Sequence, residues 1–173
     1  MTEEKDCRIR FARREDLPRI MDIYAYAREF MTKNGNPNQW TGGWPWQEVI
    51  ENDIEKKQLY VIEDESGPHG VFAFIIGEDE TYEEIDGEWI SETEYGTIHR
   101  IAGDGKIHGV LAKALKFCTE ETDHIRIDTH HDNNIMQYLL EKYGFERCGI
   151  IRCTEDGTPR IAYEKVYVGQ SVI

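Results

Sequence analysis

The sequence predicts a mixed α/β fold, a partly antiparallel central sheet flanked by about four helices. Three observations predict it. Short apolar or alternating runs that read as strands outnumber the stretches of helical period. Several of these strands follow one another with only turn residues between them, as hairpins do. Towards the C-terminal half, strands and helices alternate, which is the β-α-β arrangement of parallel neighbours. At 173 residues, the chain is expected to form one domain over residues 1–173, large enough to bury a core.

The first strand is expected at residues 8–11, where Ile9 and Phe11 alternate with arginines. Asp16 is placed to cap a helix, with Pro18 tolerated in its first turn. Leu17, Ile20, Tyr24, Ala27 and Met31 recur at helical spacing, and Asn34-Gly35 with Pro37 end it. Residues 36–46 hold Trp40, Trp44 and Trp46 among glycines and prolines. Pro45 is expected to start a second helix with Val49, Ile50 and Ile54 on its apolar stripe. Strands at 59–62 and 71–76 flank a turn at Ser66-Gly67-Pro68. After a long polar excursion comes a strand at 95–102, broken by Gly103-Asp104-Gly105.

Val110, Leu111, Ala114, Leu115 and Cys118 then mark a helix, and 124–129 a strand. Asp132 is the expected cap of a helix bearing Ile135, Met136, Leu139, Leu140 and Tyr143, closed by Gly144. Two last strands are read at 145–152 and 160–168, joined through Glu155-Asp156-Gly157-Thr158-Pro159. The order is β, α, α, β, β, β, α, β, α, β, β, with two β-α-β crossings near the end.

Composition narrows the function. Net charge is −14, from 34 acidic and 20 basic residues. Phosphate affinity comes largely from Lys and Arg, so nucleic-acid and anionic-membrane binding are not expected. Apolar content of 39% outweighs a mean hydropathy of −0.63 and points to a folded chain. No run approaches the ~18–20 apolar residues of a membrane span, and Met1-Thr2-Glu3-Glu4-Lys5 lacks the apolar core of a signal peptide. Cys7, Cys118, Cys148 and Cys153 form no CxxC pair and no zinc or disulfide spacing. They are read as reduced thiols of a cytoplasmic protein.

The chemically suggestive stretch is residues 98–112, IHRIAGDGKIHGVLA. A strand ends, turn residues follow, and a helix begins near Gly109 or Val110. Free N–H groups at a helix start suit a phosphate, and Gly109 lets a ligand approach the backbone. Residues 100–116 carry four basic side chains against Asp104 alone. That is +3 within a chain of −14, leaving −17 elsewhere, so an anion is best placed here. Neither the P-loop nor the GxGxxG spacing is present.

The element order, this junction and the later Asn133-Asn134-Ile135-Met136 … Glu141-Lys142-Tyr143-Gly144-Phe145 together resemble the GNAT superfamily of acetyl-CoA-dependent N-acetyltransferases, over residues 8 to about 165. The family's Q/R-x-x-G-x-G/A loop falls on Lys106, Ile107, His108, Gly109, Val110 and Leu111. Its Asn-x-x-Ala … Glu-Lys-x-Gly-Phe pattern falls on Asn133, Met136, Glu141, Lys142, Gly144 and Phe145. The resemblance implies acetyl-CoA as co-substrate. The backbone of Ile107 to Leu111 would hold its pyrophosphate, Ile101 would hydrogen-bond the pantetheine arm, and Asn133 would reach the cofactor from its helix start. Lys106 stands where the family has Arg or Gln, and Leu111 where it has Gly or Ala. Leu140 takes the place of a tyrosine that often protonates the departing thiol.

Such a transfer needs a neutral amine. A histidine has the fitting pKa for a base. His99, two residues before Ile101 on the same strand, is the first candidate and Glu94 the second. A hydrogen-bonded structural role for His99 is equally compatible with the sequence. The thiolate, with a pKa of roughly 8.5, departs without full protonation. Asp128, His130, His131 and Asp132 have the residue types of a metal site. Adjacent His130 and His131 diverge on a strand, however, so a capping turn is expected and no metal is assigned.

Residues 78–94 hold nine acidic residues and no basic one. They are either a solvated hairpin or an attractor for a cationic amine. Trp40, Trp44 and Trp46 lie where the family builds its acceptor pocket, and tryptophan faces hold ammonium groups; core packing of at least two of them is the plainer expectation. The implied function is acetyl transfer to a small-molecule or peptidic primary amine in a direct ternary complex. The alternative is a non-catalytic module of the same fold that binds CoA or another small ligand. The sequence sets neither the acceptor nor the choice between monomer and homodimer.

Overall fold

Val71, Phe72, Ala73 and Phe74 are consecutive and all buried. A strand points successive side chains to opposite faces, so such a run needs cover on both sides. The computed structural model, which describes residues 6–168, supplies it. Residues 1–5, where the sequence lacks an apolar leader, lie outside the described residues. The strands are β1 Arg8–Phe11, β2 Leu59–Asp64, β3 Gly67–Ile76, β4 Asp86–Gly87, β5 Gly96–Gly103, β6 His124–Thr129, β7 Glu146–Arg152 and β8 Pro159–Val166. The helices are α1 Leu17–Lys33, α2 Gln47–Glu55, α3 Val110–Cys118 and α4 Asn134–Lys142. One sheet runs β1-β2-β3-β5-β6-β8-β7-β4. Only β5 and β6 pair in parallel; all other neighbours are antiparallel.

Val71 and Ala73 pack with Ile20, Ile23 and Tyr24 of α1 and Ile50 of α2. Phe72 and Phe74 pack on the other face with Leu111 and Leu115 of α3 and Leu140 of α4. No helix among the described residues is long and apolar enough to cross a membrane.

The mixed α/β expectation holds, with differences of detail. Only the β5-α3-β6 crossing joins sheet neighbours. β8 lies between β6 and β7, so the second crossing skips a strand. Asp16 does not cap α1. Its carboxylate accepts the Arg13 N–H and the Arg10 guanidinium instead, because a short 3-10 turn at Arg14–Asp16 precedes the helix. Asn133, not Asp132, caps α4, accepting the Met136 N–H at 3.1 Å. α2 begins at Gln47, two residues beyond Pro45.

The acidic excursion is not simply solvated. Tyr82 is buried, and β4 pairs with β7. Trp89 and Tyr95 sandwich the Arg126 guanidinium at 3.9 and 4.0 Å. Buried Glu164 accepts from His124, from Arg126 and from the Ile90 N–H. Residues 78–94 are thus fixed to the sheet by buried aromatics and backbone bonds.

β5 carries the feature that shapes the site. Ala73 pairs with His99 but Val71 with Ala102, so β5 has one residue too many. Arg100 takes up the surplus at φ 52°, a left-handed conformation that costs a non-glycine residue roughly 1–2 kcal/mol. Three contacts offset the cost. Arg100 donates from Nε and Nη2 to Asp53 of α2, each at 2.9 Å, and its carbonyl accepts the Tyr24 hydroxyl of α1 at 2.8 Å. Tyr24→Phe leaves that carbonyl without its buried donor and is expected to lower unfolding free energy by ~1–2 kcal/mol. Chemical denaturation checks this; a change below about 0.5 kcal/mol would show that the bulge does not depend on α1.

Candidate active site

β5 pairs with β6 only at Gly96↔Ile125 and Thr97↔Arg126. Beyond Thr97 the strands part, and two cavities open at the parting. One, of about 570 Å³, lies between the end of β5, the start of α3 and the start of α4. The other, of about 160 Å³, lies between β5, β6 and the tryptophan segment. Both are lined by Met31, Ile101, Asn133 and Met136, so the two spaces meet beside Ile101.

The larger cavity gathers Ile101, Ile107, His108, Gly109, Val110 and Leu111. Gly109 is the N-cap of α3 at φ 67° and offers no side-chain cap, which leaves the first N–H groups of the helix without that partner. An added Cβ there would meet no atom closer than 3.8 Å. Gly103 serves close packing instead: its Cβ would come within 2.9 Å of Val110 Cγ2. The Leu111 side chain is buried in the α3/α4 core, so its bulk is absorbed away from the backbone of the helix start. Lys106 does not line the cavity; its N–H is taken by Asp104. An open backbone cradle and a glycine at the approach fit a phosphate-bearing ligand such as acetyl-CoA, although no lysine or arginine among the described residues lines this cavity. Asn133 lines both cavities, but its amide is engaged within the protein: Oδ1 caps α4 and Nδ2 donates to Gln39 at 2.9 Å.

The smaller cavity holds His99, on the bulged strand just before Arg100. His99 Nε2 lies 2.6 Å from Asp79 Oδ2, and its ring stacks on Tyr82 at 6.3 Å. A carboxylate partner sets Nε2 as the protonated nitrogen and leaves Nδ1 as the acceptor. Nδ1 has no hydrogen-bond partner among the described residues. Burial pushes the Asp79 carboxyl up, but the bond to His99, its charge and the Thr81 N–H together bring it below the usual value.

By linkage, a lowered folded pKa contributes stability that is present above the unfolded value of about 3.9 and lost as pH falls through the folded one. Asp79→Asn is therefore expected to flatten the acid-side fall in denaturant stability. Identical slopes in both proteins would contradict the pairing.

Asp128 of β6 also lines this cavity. Its Oδ1 accepts the Tyr82 hydroxyl at 2.6 Å. Burial holds its carboxyl above the usual value, against the pull of His99, Tyr82 and Arg160. Trp44 and Trp46 meet edge-on at 5.1 Å and form one wall, with Trp46 53% exposed. The expectation that at least two of the three tryptophans pack in the core is not met: Trp40 alone of them packs against a buried cluster, edge-on to Tyr24. Cys153 also faces the cavity, but burial and the Glu155 carboxylate push its thiol up to about 12. It is therefore a poor nucleophile near neutrality.

Glu94 is not brought to the site. It is exposed before β5 begins, at the end away from the bulge, and lines neither cavity. The expectation that His130 and His131 diverge fails, because β6 ends at Thr129 and both lie in the turn before α4. Their rings stack at 4.2 Å, and the ligating atoms of His130, His131 and Asp132 fall within 4.8 Å of one another. His130 Nδ1 accepts the Asp132 N–H at 3.0 Å, which is a capping turn. Asp79, twenty residues from its partner, escaped the sequence reading; no local pattern marks it.

No protein-family model matches the chain, and no curated protein does. Solved structures do. A GNAT-family acetyltransferase from Streptococcus agalactiae 2603 is 31% identical, over 94% of this chain and 96% of that one, with a TM-score of 0.83. The chain belongs to the GNAT family. A GNAT-family acetyltransferase from Listeria monocytogenes 4b F2365 shares the fold at 21% identity and a TM-score of 0.69, over 96% and 98% of the two chains. The ribosomal-protein-S18-alanine N-acetyltransferase of Escherichia coli does so at 12% and 0.61, over 97% and 99%. The GNAT fold thus accounts for the mixed sheet.

Proposed function

We propose that this GNAT protein transfers an acetyl group from acetyl-CoA to a primary amine by direct attack in a ternary complex, with His99 as base. The observation that carries this reading is the His99–Asp79 pair, with His99 lining the smaller cavity two residues before Ile101, which lines both cavities. The α3 start, Gly109 and Ile101 would hold acetyl-CoA, which supplies the activated acetyl group. An acceptor amine in the smaller cavity lies beside Asp128, whose carboxylate suits an ammonium, and beside the tryptophan wall, which does the same. His99 Nδ1 takes the proton as the new N–C bond forms and the C–S bond breaks. Asp79 holds the ring and stabilises the imidazolium.

CoA leaves as a thiolate with a pKa of roughly 8.5, so Leu140 in place of a tyrosine acid does not stop the reaction. Joining two reactants in one site can itself supply roughly 7–11 kcal/mol in favourable cases. The competing reading, a module that binds CoA without turnover, rests on Leu140, which is fully buried; it gives the His99–Asp79 pair no task. Thiol release from acetyl-CoA, followed across a panel of primary amines, tests the proposal. Amine-dependent release is expected. Binding of CoA with no amine-dependent release would favour the module.

A further inference from the structure

Four charged groups that amine acetylation does not use line the smaller cavity: Arg100, already paired with Asp53, the carboxylates of Glu155 and Asp156 on the β7–β8 turn, and Arg160. Arg160, at the start of β8, lines the cavity and is 5% exposed. Its Nη1 donates to the Thr158 hydroxyl at 2.5 Å and the Pro159 carbonyl at 3.3 Å, and its Nη2 to the Gln39 carbonyl at 3.1 Å. All three acceptors are neutral. Among the described residues, the one carboxylate within 4.0 Å is Asp156, at 3.6 Å on an exposed turn. A buried guanidinium without a hydrogen-bonded counterion is costly, and a ligand anion would relieve that cost.

Register places this cation beside the amine end of the site. Asp128 pairs with Ala162 across β6 and β8. Arg160 is two residues from Ala162, so it points to the same face of the sheet as Asp128. Such diagonal neighbours are about 7–8 Å apart at the backbone, within reach of a long side chain. A carboxylate suited to an ammonium and a guanidinium suited to a carboxylate therefore stand side by side. The volume of about 160 Å³ is well below the ~300–1,000 Å³ of pockets for drug-sized ligands. Trp44 and Trp46 supply an apolar wall.

We infer that the acceptor is an α-amino acid, its amine directed to His99 and Asp128 and its carboxylate paired with Arg160. This rests on the amine-acetylation reading and adds the acceptor class to it. The closing experiment compares the twenty proteinogenic amino acids with their carboxamides, which keep the amine and lose the anion. Acetylation kinetics and calorimetric binding in the presence of CoA are both measured. For the amino acid used best, kcat/KM is expected to exceed that of its carboxamide by tenfold or more. Arg160→Gln should erase the difference by raising the KM of the acid while kcat changes little, and Arg160→Lys should restore part of it.

Because Arg160 also ties the Gln39 carbonyl, a variant that fails to fold is replaced by the substrate comparison on the unaltered enzyme. Equal use and equal binding of acids and carboxamides overturn the inference but leave amine acetylation standing. Preferential binding of acids with no acetylation of either sinks the catalytic reading and supports the carboxylate site. Absence of binding by any acid overturns the inference outright.

Discussion

His99→Ala is expected to lower kcat for acetyl transfer about a hundredfold or more, the contribution typical of a positioned general base. Direct attack needs the neutral amine, and His99 is the histidine that the bulged strand brings into the smaller cavity. Its orientation comes from Asp79 Oδ2 at 2.6 Å and from the Tyr82 ring. The loss should fall on kcat, with little change in the KM for acetyl-CoA, since His99 lines only the smaller cavity. The acidic limb of the pH–rate profile should vanish with it. Asp79→Asn should lower kcat less, because it keeps a partner for the ring but weakens the preference for the Nε2–H form. A His99→Ala enzyme with unchanged rate and profile would remove His99 from the chemistry.

Gly109→Asp is the second substitution of large effect, and it acts on the other cavity. Like charges about 5 Å apart repel by ~3 kcal/mol at an effective dielectric near 20, and solvent screening reduces this to about 1–2 kcal/mol. The KM for acetyl-CoA is accordingly expected to rise about tenfold, with kcat at saturation retained, since each 1.4 kcal/mol is a factor of ten. Gly109 sits at φ 67°, so any side chain adds backbone strain. Gly109→Ala carries that strain without the charge and should keep the KM within about twofold. Equal KM values for the aspartate and alanine variants would place the pyrophosphate elsewhere.

Local pattern carried much of the fold. The helical spacing of Ile20, Tyr24 and Ala27 and the unbroken apolar run of β3 report burial directly, because each element meets the core along its own period. Asp104-Gly105 marks the strand-to-helix junction because Gly105 takes φ 78°, which favours glycine, whereas Gly103 still belongs to β5. What was not legible depends on contacts between distant segments. Asp53 meets Arg100 across 47 residues and thereby holds the bulge. Asp79 meets His99 across 20. The two-residue β4 has no period to detect. Gln39 accepts from Asn133 94 residues away, an engagement that the motif position of Asn133 does not signal. Asp132 and Asn133 are both good caps, and only the backbone geometry decides between them. Glu94 is close in sequence to β5, yet the strand runs away from it towards the site.

The central claim is that acetyl passes to an amine nitrogen. Acetyl-CoA labelled with carbon-13 at the carbonyl, incubated with the protein and the amine used best, tests this by NMR of the products. The account predicts a labelled amide formed in equal amount to the released thiol. Label recovered as free acetate, or thiol release that does not depend on the amine, would contradict it.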